Sequence, residues 1–191
     1  MILLIAIISY LLGSIPAGFI IGKVFYKTDI RTLGSGNVGA TNAFRNFGKT
    51  TGFITFVFDF LKGAIACYLG RKIGADLGQA LAFFFVVIGH MYSFILKFKA
   101  GKGVATAFGS LLAIDFRFAL ILLVIFIGIV AVFRIVSLAS VIVSILGALI
   151  GLFWFGISYI SFAIILVASL IVYKHKSNIV RLKKGEEKRI F

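Results

Sequence analysis

The chain contains one long apolar run, from Ile135 to Tyr173, with the sequence IVSLASVIVSILGALIGLFWFGISYISFAIILVASLIVY. Its 39 residues include no Asp, Glu, Lys or Arg. A transmembrane helix needs about 20 apolar residues, so the run is about twice as long as one span. We predict a tight turn near Trp154 and Gly156, with Trp154 and Tyr159 at a membrane interface. The run is therefore predicted to form a helical hairpin that crosses a membrane twice.

The rest of the chain has the same apolar character. Of its 191 residues 61% are hydrophobic, and the mean hydropathy is +1.15. A soluble domain is nearer half apolar, so we predict an all-α integral membrane protein. The single Cys67 argues against a disulfide framework and a cysteine-rich metal site. We expect one domain over residues 1–191, a bundle of seven transmembrane helices with at least one short or broken helix. The predicted spans are residues 2–22, 51–69, 77–96, 104–114, 118–133, 135–150 and 157–173.

The distribution of the net charge of +14 predicts an orientation in the membrane. Sixteen of the 20 Lys and Arg residues fall on one predicted side, and only Arg71, Lys72 and Arg117 fall on the other. The positive-inside rule then places the N-terminus outside and the C-terminus in the cytoplasm. The same charges attract anionic lipids, and their placement between spans argues against nucleic-acid binding. The first run has no preceding basic residue and exceeds a signal peptide in length, so we expect it to remain as a span.

A short apolar segment, Val104 to Ile114, is the clearest departure from uniform spans. Its eleven residues would extend roughly 16 Å, about half of the hydrocarbon thickness. The preceding Gly101-Lys102-Gly103 is therefore expected to lie below the membrane surface, where protein or a wet cavity must cover irregular backbone. A helix that begins there also presents free N–H groups. The alternative is a tilted span with snorkelling ends.

Residues 34–45 form a first polar cluster, GSGNVGATNAFR. Its glycines allow the backbone to curl around an anion, and Arg45 offers a bidentate donor to phosphate or carboxylate. A plain turn with a basic flank is the alternative. The candidate ligand-binding residues of this cluster are Ser35, Gly36, Asn37, Thr41, Asn42 and Arg45.

Two further polar clusters are predicted on the same cytoplasmic side. Lys102 between two glycines at a helix start resembles a phosphate cradle, although the P-loop spacing is absent. The alternatives are a packing role for His90 and an ordinary solvated basic helix end for the tail. The candidates are His90, Gly101, Lys102, Gly103 and Thr106 in the second cluster, and His175, Asn178, Arg181 and Glu187 in the third.

Asp59 and Lys62 lie three positions apart inside the predicted second span. A charge in mid-bilayer costs about 2.5–3.5 kcal/mol on insertion scales, so the two should pair or face the interior. A structural ion pair and a substrate contact are equally compatible with this spacing.

These clusters, taken in order, resemble the signatures of the bacterial membrane acyl-phosphate:glycerol-3-phosphate acyltransferases. Residues 34–45 resemble the first signature, and Gly89-His90 with residues 98–106 the second. His175-x-x-Asn178-Ile179-x-Arg181-Leu182-x-x-Gly185-x-Glu187 resembles the third, and Asp59-x-x-Lys62-Gly63 also fits. Ala100 departs from a usual glycine and Glu186 from a usual threonine.

The resemblance implies transfer of a fatty acyl chain from acyl phosphate to the 1-hydroxyl of glycerol 3-phosphate, giving lysophosphatidic acid and inorganic phosphate. It implies no cofactor and no metal, a bacterial cell membrane, a site facing the cytoplasm, and a functional link to the enzyme that makes acyl phosphate. Ser35, Gly36, Asn37 and the Gly101–Gly103 backbone would hold the acyl-phosphate head. Arg45 and Lys102 would neutralise phosphates, and the third cluster would orient glycerol 3-phosphate. Proton removal would fall to a substrate phosphate, or to His90 or His175.

Two rival functions come from other classes. A transporter or channel for an organic phosphate also uses broken helices and cations at membrane depth. It predicts accessible polar residues on the outer side as well, where the connections here are short. A non-catalytic lipid-binding scaffold would leave three polar clusters on one side unexplained.

Overall fold

The computed structural model of the protein describes residues 1–190 and is all-α. The seven predicted spans lie mainly on helix, but the first, 2–22, is divided at Ile15 and Pro16 into two helices, and the α-helix of the third ends at Met91. The short segment Val104–Ile114 has the predicted bounds. The helices are α1 (Ile2–Ser14), α2 (Ala17–Tyr26), α3 (Ala40–Phe47), α4 (Lys49–Met91), α5 (Val104–Ile114), α6 (Phe116–Phe133), α7 (Val136–Phe155), α8 (Tyr159–Lys174) and α9 (Lys176–Lys183), with short 3₁₀ turns at Ile30–Thr32 and Phe94–Leu96.

Length and composition identify the helical stretches that can cross a membrane. Among residues 1–190, four stretches qualify, and the pair α8 and α9, bent by 56°, makes a fifth candidate. The prediction of seven crossings, like the orientation of the termini, stays a prediction. The four stretches are Ile2–Tyr26, Lys49–Leu96, Phe116–Phe133 and Val136–Phe155.

The stretch Lys49–Leu96 contains two helices rather than one. Gly74 (φ −136°, ψ 22°) and Ala75 (φ 49°, ψ −140°) interrupt α4, and the chain reverses direction there. We call residues 49–73 the first arm and residues 76–91 the second arm. The Sγ atom of Cys67 in the first arm lies 4.0 Å from the carbonyl oxygen of Gln79 in the second. The predicted separation between spans 51–69 and 77–96 is therefore confirmed.

The chain divides into two compact units, one of residues Met1–Ile114 and one from Asp115 onward. In the first unit the helices pack through glycines. A Cβ on Gly63 in the first arm would overlap the backbone carbonyl of Thr106 in α5, and one on Gly89 in the second arm would overlap that of Tyr10 in α1. Small residues at helix contacts let backbones approach closely, as is common inside membranes. The first unit therefore depends on steric fit at these crossings.

The second unit contains the hairpin predicted from the charge-free run. Helix α7 ends at Phe155, and Gly156 (φ 61°) makes the turn. Ser158 and Ser161 then form a capping box at the start of α8. At the same end of the unit, the Asp115 carboxylate accepts a hydrogen bond from the Phe118 N–H at 2.8 Å and caps α6, and the Phe118 ring lies 5.1 Å from that of Phe155. The predicted turn near Trp154 and Gly156 is confirmed.

Candidate active site

The loop before α3 is held together from the inside by the side chain of Asn42, which is 3% exposed. Its amide nitrogen donates to three backbone carbonyls at 2.8–3.2 Å, and its oxygen accepts two hydrogen bonds. Because all of its hydrogen-bonding atoms have partners within the chain, Asn42 organises the loop. Its partners are the carbonyls of Ile30, Leu33 and Asn37, the N–H of Ser35 and the amide of Asn46.

The outer surface of this loop carries the exposed side chains of Ser35 and Arg45. Gly34 (φ 56°) and Gly36 (φ 71°) adopt the left-handed conformation that makes the curl possible. The N–H of Gly36 donates to the carbonyl of Leu33 at 3.0 Å. The backbone N–H groups of Ser35 and Gly36, both expected as ligand donors, are thus engaged within the loop. The hydroxyl of Ser35 and the guanidinium of Arg45 lie on its accessible side.

Gly39 precedes α3 and provides no side-chain cap. Its N–H donates to the Asn37 side-chain oxygen at 2.8 Å, which orients the amide of Asn37. Thr41 is half-buried in the first turn of α3, where backbone N–H groups have no intrahelical partner. The arrangement favours an anion at this end of α3, beside Ser35.

The predicted contact between Asp59 and Lys62 is a buried ion pair in the first arm. Their Oδ1 and Nζ atoms are 2.9 Å apart. Lys62 Nζ also donates to the carbonyl oxygen of Ile15 at 2.9 Å. That carbonyl lies at the break between α1 and α2, where Pro16 interrupts the helix. Lys62 therefore neutralises the Asp59 carboxylate and also donates a hydrogen bond to a backbone carbonyl at the end of α1.

His90, in the last turn of the second arm, joins this pair to the loop of Lys102. Its Nδ1 lies 3.3 Å from Asp59 Oδ1. Its carbonyl oxygen accepts a hydrogen bond from the N–H of Gly101 at 3.1 Å. Thr106 lies deeper, fully buried in α5, and its hydroxyl has no hydrogen-bond partner within residues 1–190. Lys102 is half-buried between Gly101 and Gly103.

In the second unit, the carboxylate of Glu187 accepts hydrogen bonds from three side chains. Its Oε1 accepts from Asn178 Nδ2 at 2.6 Å and from Ser137 Oγ at 2.8 Å. Its Oε2 accepts from Arg181 Nε at 2.6 Å. The N–H of Ile190 donates to the carbonyl of Arg134 at 2.8 Å, so the tail lies against the turn before α7. Three of the four predicted residues of the third cluster are therefore in direct contact.

The pKa of Glu187 reflects these contacts. Burial raises the pKa of the carboxyl, but the hydrogen bonds from Asn178, Ser137 and Arg181, with the charge of Arg181, outweigh burial and lower it below its ordinary value. The carboxylate therefore stays ionised at neutral pH. As an ionised carboxylate it can accept about four hydrogen bonds, so it retains capacity for a ligand hydroxyl.

His175 is buried at the junction of α8 and α9. Its Nδ1 lies 2.7 Å from the carbonyl oxygen of Ile171. A carbonyl only accepts, so Nδ1 carries the proton and Nε2 is the basic nitrogen of the neutral ring. Within residues 1–190 no group of three or more His, Cys, Asp or Glu side chains is placed to hold a metal ion.

Comparison with known proteins identifies the family. The family model described as glycerol-3-phosphate acyltransferase matches residues 3–185. The glycerol-3-phosphate acyltransferases of Carboxydothermus hydrogenoformans and Staphylococcus haemolyticus are each 42% identical, over 100% of this chain and 97% and 98% of theirs. The chain belongs to the glycerol-3-phosphate acyltransferase family. It is an acyltransferase, and the family places it in phospholipid biosynthesis.

Two solved structures are similar to this glycerol-3-phosphate acyltransferase over most of their length. Both are crystal structures of PlsY (YgiH), an integral membrane glycerol 3-phosphate acyltransferase, in a glycerol 3-phosphate form and a lysophosphatidic acid form. They match with TM-scores of 0.94 and 0.90 at 41% identity, and each match covers 98% of this chain and 94% of the other. The expectation of an all-α membrane protein agrees with this likeness.

Sequence reasoning located the clusters of the acyltransferase but missed several contacts within them. Ser137 was not a candidate, because a lone serine near the start of an apolar helix has no distinguishing signal. The contact between His90 and Asp59 was also missed, since the two occur in different predicted spans. The predicted pairing of Asp59 with Lys62 is confirmed.

Proposed function

We propose that this acyltransferase takes its acyl group from acyl phosphate. The 1-hydroxyl oxygen of glycerol 3-phosphate attacks the carbonyl carbon of acyl phosphate, and a new ester bond forms. The bond between that carbon and the phosphate oxygen breaks, and the hydroxyl proton ends on the released phosphate. The products are lysophosphatidic acid and inorganic phosphate. The ligand forms of the two PlsY structures contain this acceptor and this product, which supports the proposal.

The observation that carries the proposal concerns the loop before α3. The buried side chain of Asn42 holds this loop in place through hydrogen bonds to its backbone, whereas Ser35 and Arg45 are exposed. A loop fixed before the ligand arrives loses little entropy on binding, which favours tight and oriented recognition. A hydroxyl and a guanidinium beside the first turn of α3 are suited to a phosphate group. We assign the acyl-phosphate head to Ser35, Asn37 and Arg45.

The loop of Lys102 supplies the second cation. Its flanking Gly101 and Gly103 hold the backbone close to the second arm, so Lys102 is presented from a fixed position. We propose that its ammonium neutralises phosphate charge as the acyl–phosphate bond breaks. Acyl phosphate is a mixed anhydride with a good leaving group, so alignment and charge neutralisation account for most of the required activation.

The tail cluster is assigned to glycerol 3-phosphate. Arg181 and Asn178 are fixed by Glu187, and the remaining acceptor capacity of Glu187 suits a substrate hydroxyl. The fixed tautomer of His175 turns a basic Nε2 to the side opposite the Ile171 carbonyl. A base at His175 and a substrate phosphate as proton acceptor therefore remain two versions of one proposal.

The proposed location is a bacterial cell membrane, crossed seven times, with the three clusters facing the cytoplasm. The excess of Lys and Arg in the connections on that side supports this orientation. Acyl phosphate is reactive and must be made nearby, so a functional link to an acyl-phosphate-producing enzyme follows.

The test uses purified protein in detergent with acyl phosphate and glycerol 3-phosphate. We expect release of inorganic phosphate in equal amount to lysophosphatidic acid, and no product when acyl-CoA replaces acyl phosphate. Arg45→Ala and Lys102→Met should each lower kcat/KM at least about 100-fold, as loss of a preorganised charge does. His175→Gln distinguishes the two proton acceptors, because near-normal turnover would rule out His175 as base.

The transporter is the rival that must be tested alongside. In sealed vesicles it predicts flux of glycerol 3-phosphate without chemical change. Flux together with no phosphate release in detergent would overturn the proposed function.

A further inference from the structure

A chain of buried polar contacts runs beneath the loop of Lys102. Asp59 is 2% exposed, and Lys62 and His90 are each 6% exposed. Asp59 Oδ1 lies 2.9 Å from Lys62 Nζ and 3.3 Å from His90 Nδ1. A buried carboxylate is stabilised by polar contacts beyond its ion-pair partner, and His90 supplies such a contact to Asp59 beside that of Lys62.

His90 touches the loop in two ways. Its carbonyl accepts the N–H of Gly101 at 3.1 Å, and its imidazole lies so close to the α-carbon of Gly101 that a Cβ there would overlap Nε2. One turn of helix thus supplies both a hydrogen bond and a packing surface to the same glycine. A change in the orientation of the imidazole must therefore move the backbone of Gly101, or be blocked by it.

The other glycine of the loop is held by the same turn. A Cβ on Gly103 would lie 2.7 Å from the Cε of Met91 and 2.9 Å from a methyl group of Val87. Gly103 is also in the left-handed conformation (φ 84°). The backbone on both sides of Lys102 is therefore fixed against the last turn of the second arm.

Lys62, the ion-pair partner of Asp59, is anchored to the end of a different helix. Lys62 donates to the Ile15 carbonyl at 2.9 Å, and Ser93 Oγ donates to the Ser14 carbonyl at 2.6 Å. These contacts tie the first arm, and the residues just after the second arm, to the break between α1 and α2. The position of Asp59 is thus fixed through Lys62, and the imidazole of His90 lies 3.3 Å from its carboxylate.

We propose that Asp59 is a positioning residue of the acyltransferase, which through His90 sets the Gly101–Gly103 loop and so the placement of Lys102. The inference rests on the proposed function of Lys102. Asp59 touches neither substrate in this role. It acts by holding one orientation of the imidazole, and a catalytic group displaced by about 1 Å can lose up to 100-fold in rate.

The main test separates positioning from stability with the double variant Asp59→Asn/Lys62→Met. It removes both buried charges, so neither charge is left without its partner, while the Ile15 carbonyl loses the Lys62 donor. We expect a folded protein with a lower melting temperature, and kcat/KM for acyl phosphate, measured well below that temperature, lowered about 10- to 100-fold. The matched control is Asp76→Asn, which breaks the exposed ion pair between Arg71 and Asp76 at the other end of the same hairpin and should leave kcat/KM unchanged.

A spectroscopic measurement reads the imidazole directly. The chain has two histidines, so ¹⁵N-histidine spectra of a His175→Gln protein contain signals from His90 alone. We expect the Nδ1 signal of His90 to change in the Asp59→Asn/Lys62→Met background and to stay unchanged with Asp76→Asn. An unchanged signal would overturn the inference, whether or not the protein transfers acyl groups.

A second pair of variants keeps the inference testable if the double variant does not fold. Gly101→Ala should lower kcat/KM at least about tenfold, because its Cβ meets the imidazole. In a His90→Ala background, Gly101→Ala should have little further effect. Additive losses, or full activity of a folded Asp59→Asn/Lys62→Met protein, would show that Asp59 does not position the loop. Failure of the unmodified protein to transfer acyl groups would instead contradict the proposed function.

Discussion

Asp59 Oδ1 and His90 Nδ1 lie 3.3 Å apart although both residues belong to the segment Lys49–Met91. In an unbroken helix, residues 31 positions apart would be separated by about 46 Å along the axis. The two-residue interruption at Gly74 and Ala75 therefore brings these side chains together. Formation of the polar network depends on a turn that lies at the opposite end of the hairpin.

Ala75→Gly should stabilise the protein. Ala75 has φ 49° and ψ −140°, a conformation that glycine adopts readily and alanine does not. We expect the free energy of unfolding to rise by about 1 kcal/mol. This value is the backbone strain that glycine relieves in the folded protein, minus the cost of the greater conformational freedom of glycine in the unfolded chain. Thermal unfolding in detergent measures the change. The matched control, Ala64→Gly inside the first arm, should lower stability by about 0.5–1 kcal/mol.

Gly63→Ala should destabilise the contact between the first arm and α5. Its Cβ would overlap the Thr106 carbonyl and lie 2.9 Å from Ser110 Oγ, so the helices must separate. We expect a loss of about 1–3 kcal/mol, as for other overpacked contacts. Gly128→Ala in α6 is the control, because nothing lies within 4 Å of the added methyl. A similar loss at both positions in thermal unfolding would refute the packing argument.

Asn42→Asp should release the loop before α3. An aspartate has no N–H group to donate to the three backbone carbonyls that accept hydrogen bonds from the Asn42 amide. Its carboxylate oxygens would instead face these carbonyl oxygens and repel them. We expect a local loss of about 2–4 kcal/mol and a large loss of acyl transfer. Faster hydrogen exchange at residues 34–39 would show that the loop has opened. Asn46→Asp, at an exposed position with fewer contacts, should change exchange far less.

Stability of the tail should depend on pH through Glu187. Its pKa in the folded protein lies below the ordinary value of 4.5, so its contribution is complete above about pH 4.5 and is lost as the pH falls through the folded value. Hydrogen exchange of residues 185–190 between pH 6 and pH 3 measures this loss. Glu187→Gln should remove this part of the pH dependence, whereas the exposed neighbour Glu186→Gln should retain it. An unchanged profile in Glu187→Gln would contradict the assignment.

The helices and their interruptions were predictable because local signals specify them. Apolar length marked Val104–Ile114 as a short helix, and the turn at Gly156 followed from the excess length of the charge-free run. The pairing of Asp59 with Lys62 was also predictable, since residues three apart share a helix face. Each of these signals lies within one continuous stretch of the chain.

The roles of individual polar residues were decided by contacts between distant parts of the chain. From the sequence, Asn42 is predicted to bind a ligand. In the structure its amide donates hydrogen bonds to the carbonyls of Ile30 and Leu33, which lie close to it only in the folded loop. Ser137 acquires a partner fifty residues away in Glu187, and His90 acquires one across the hairpin in Asp59. Hydropathy and spacing act along the chain, whereas a hydrogen bond requires two groups within about 3 Å and in the correct direction. That condition is met only once the helices have packed, so the membrane class and the helical segments follow from the order of residues, and the connections among the polar groups follow from the fold.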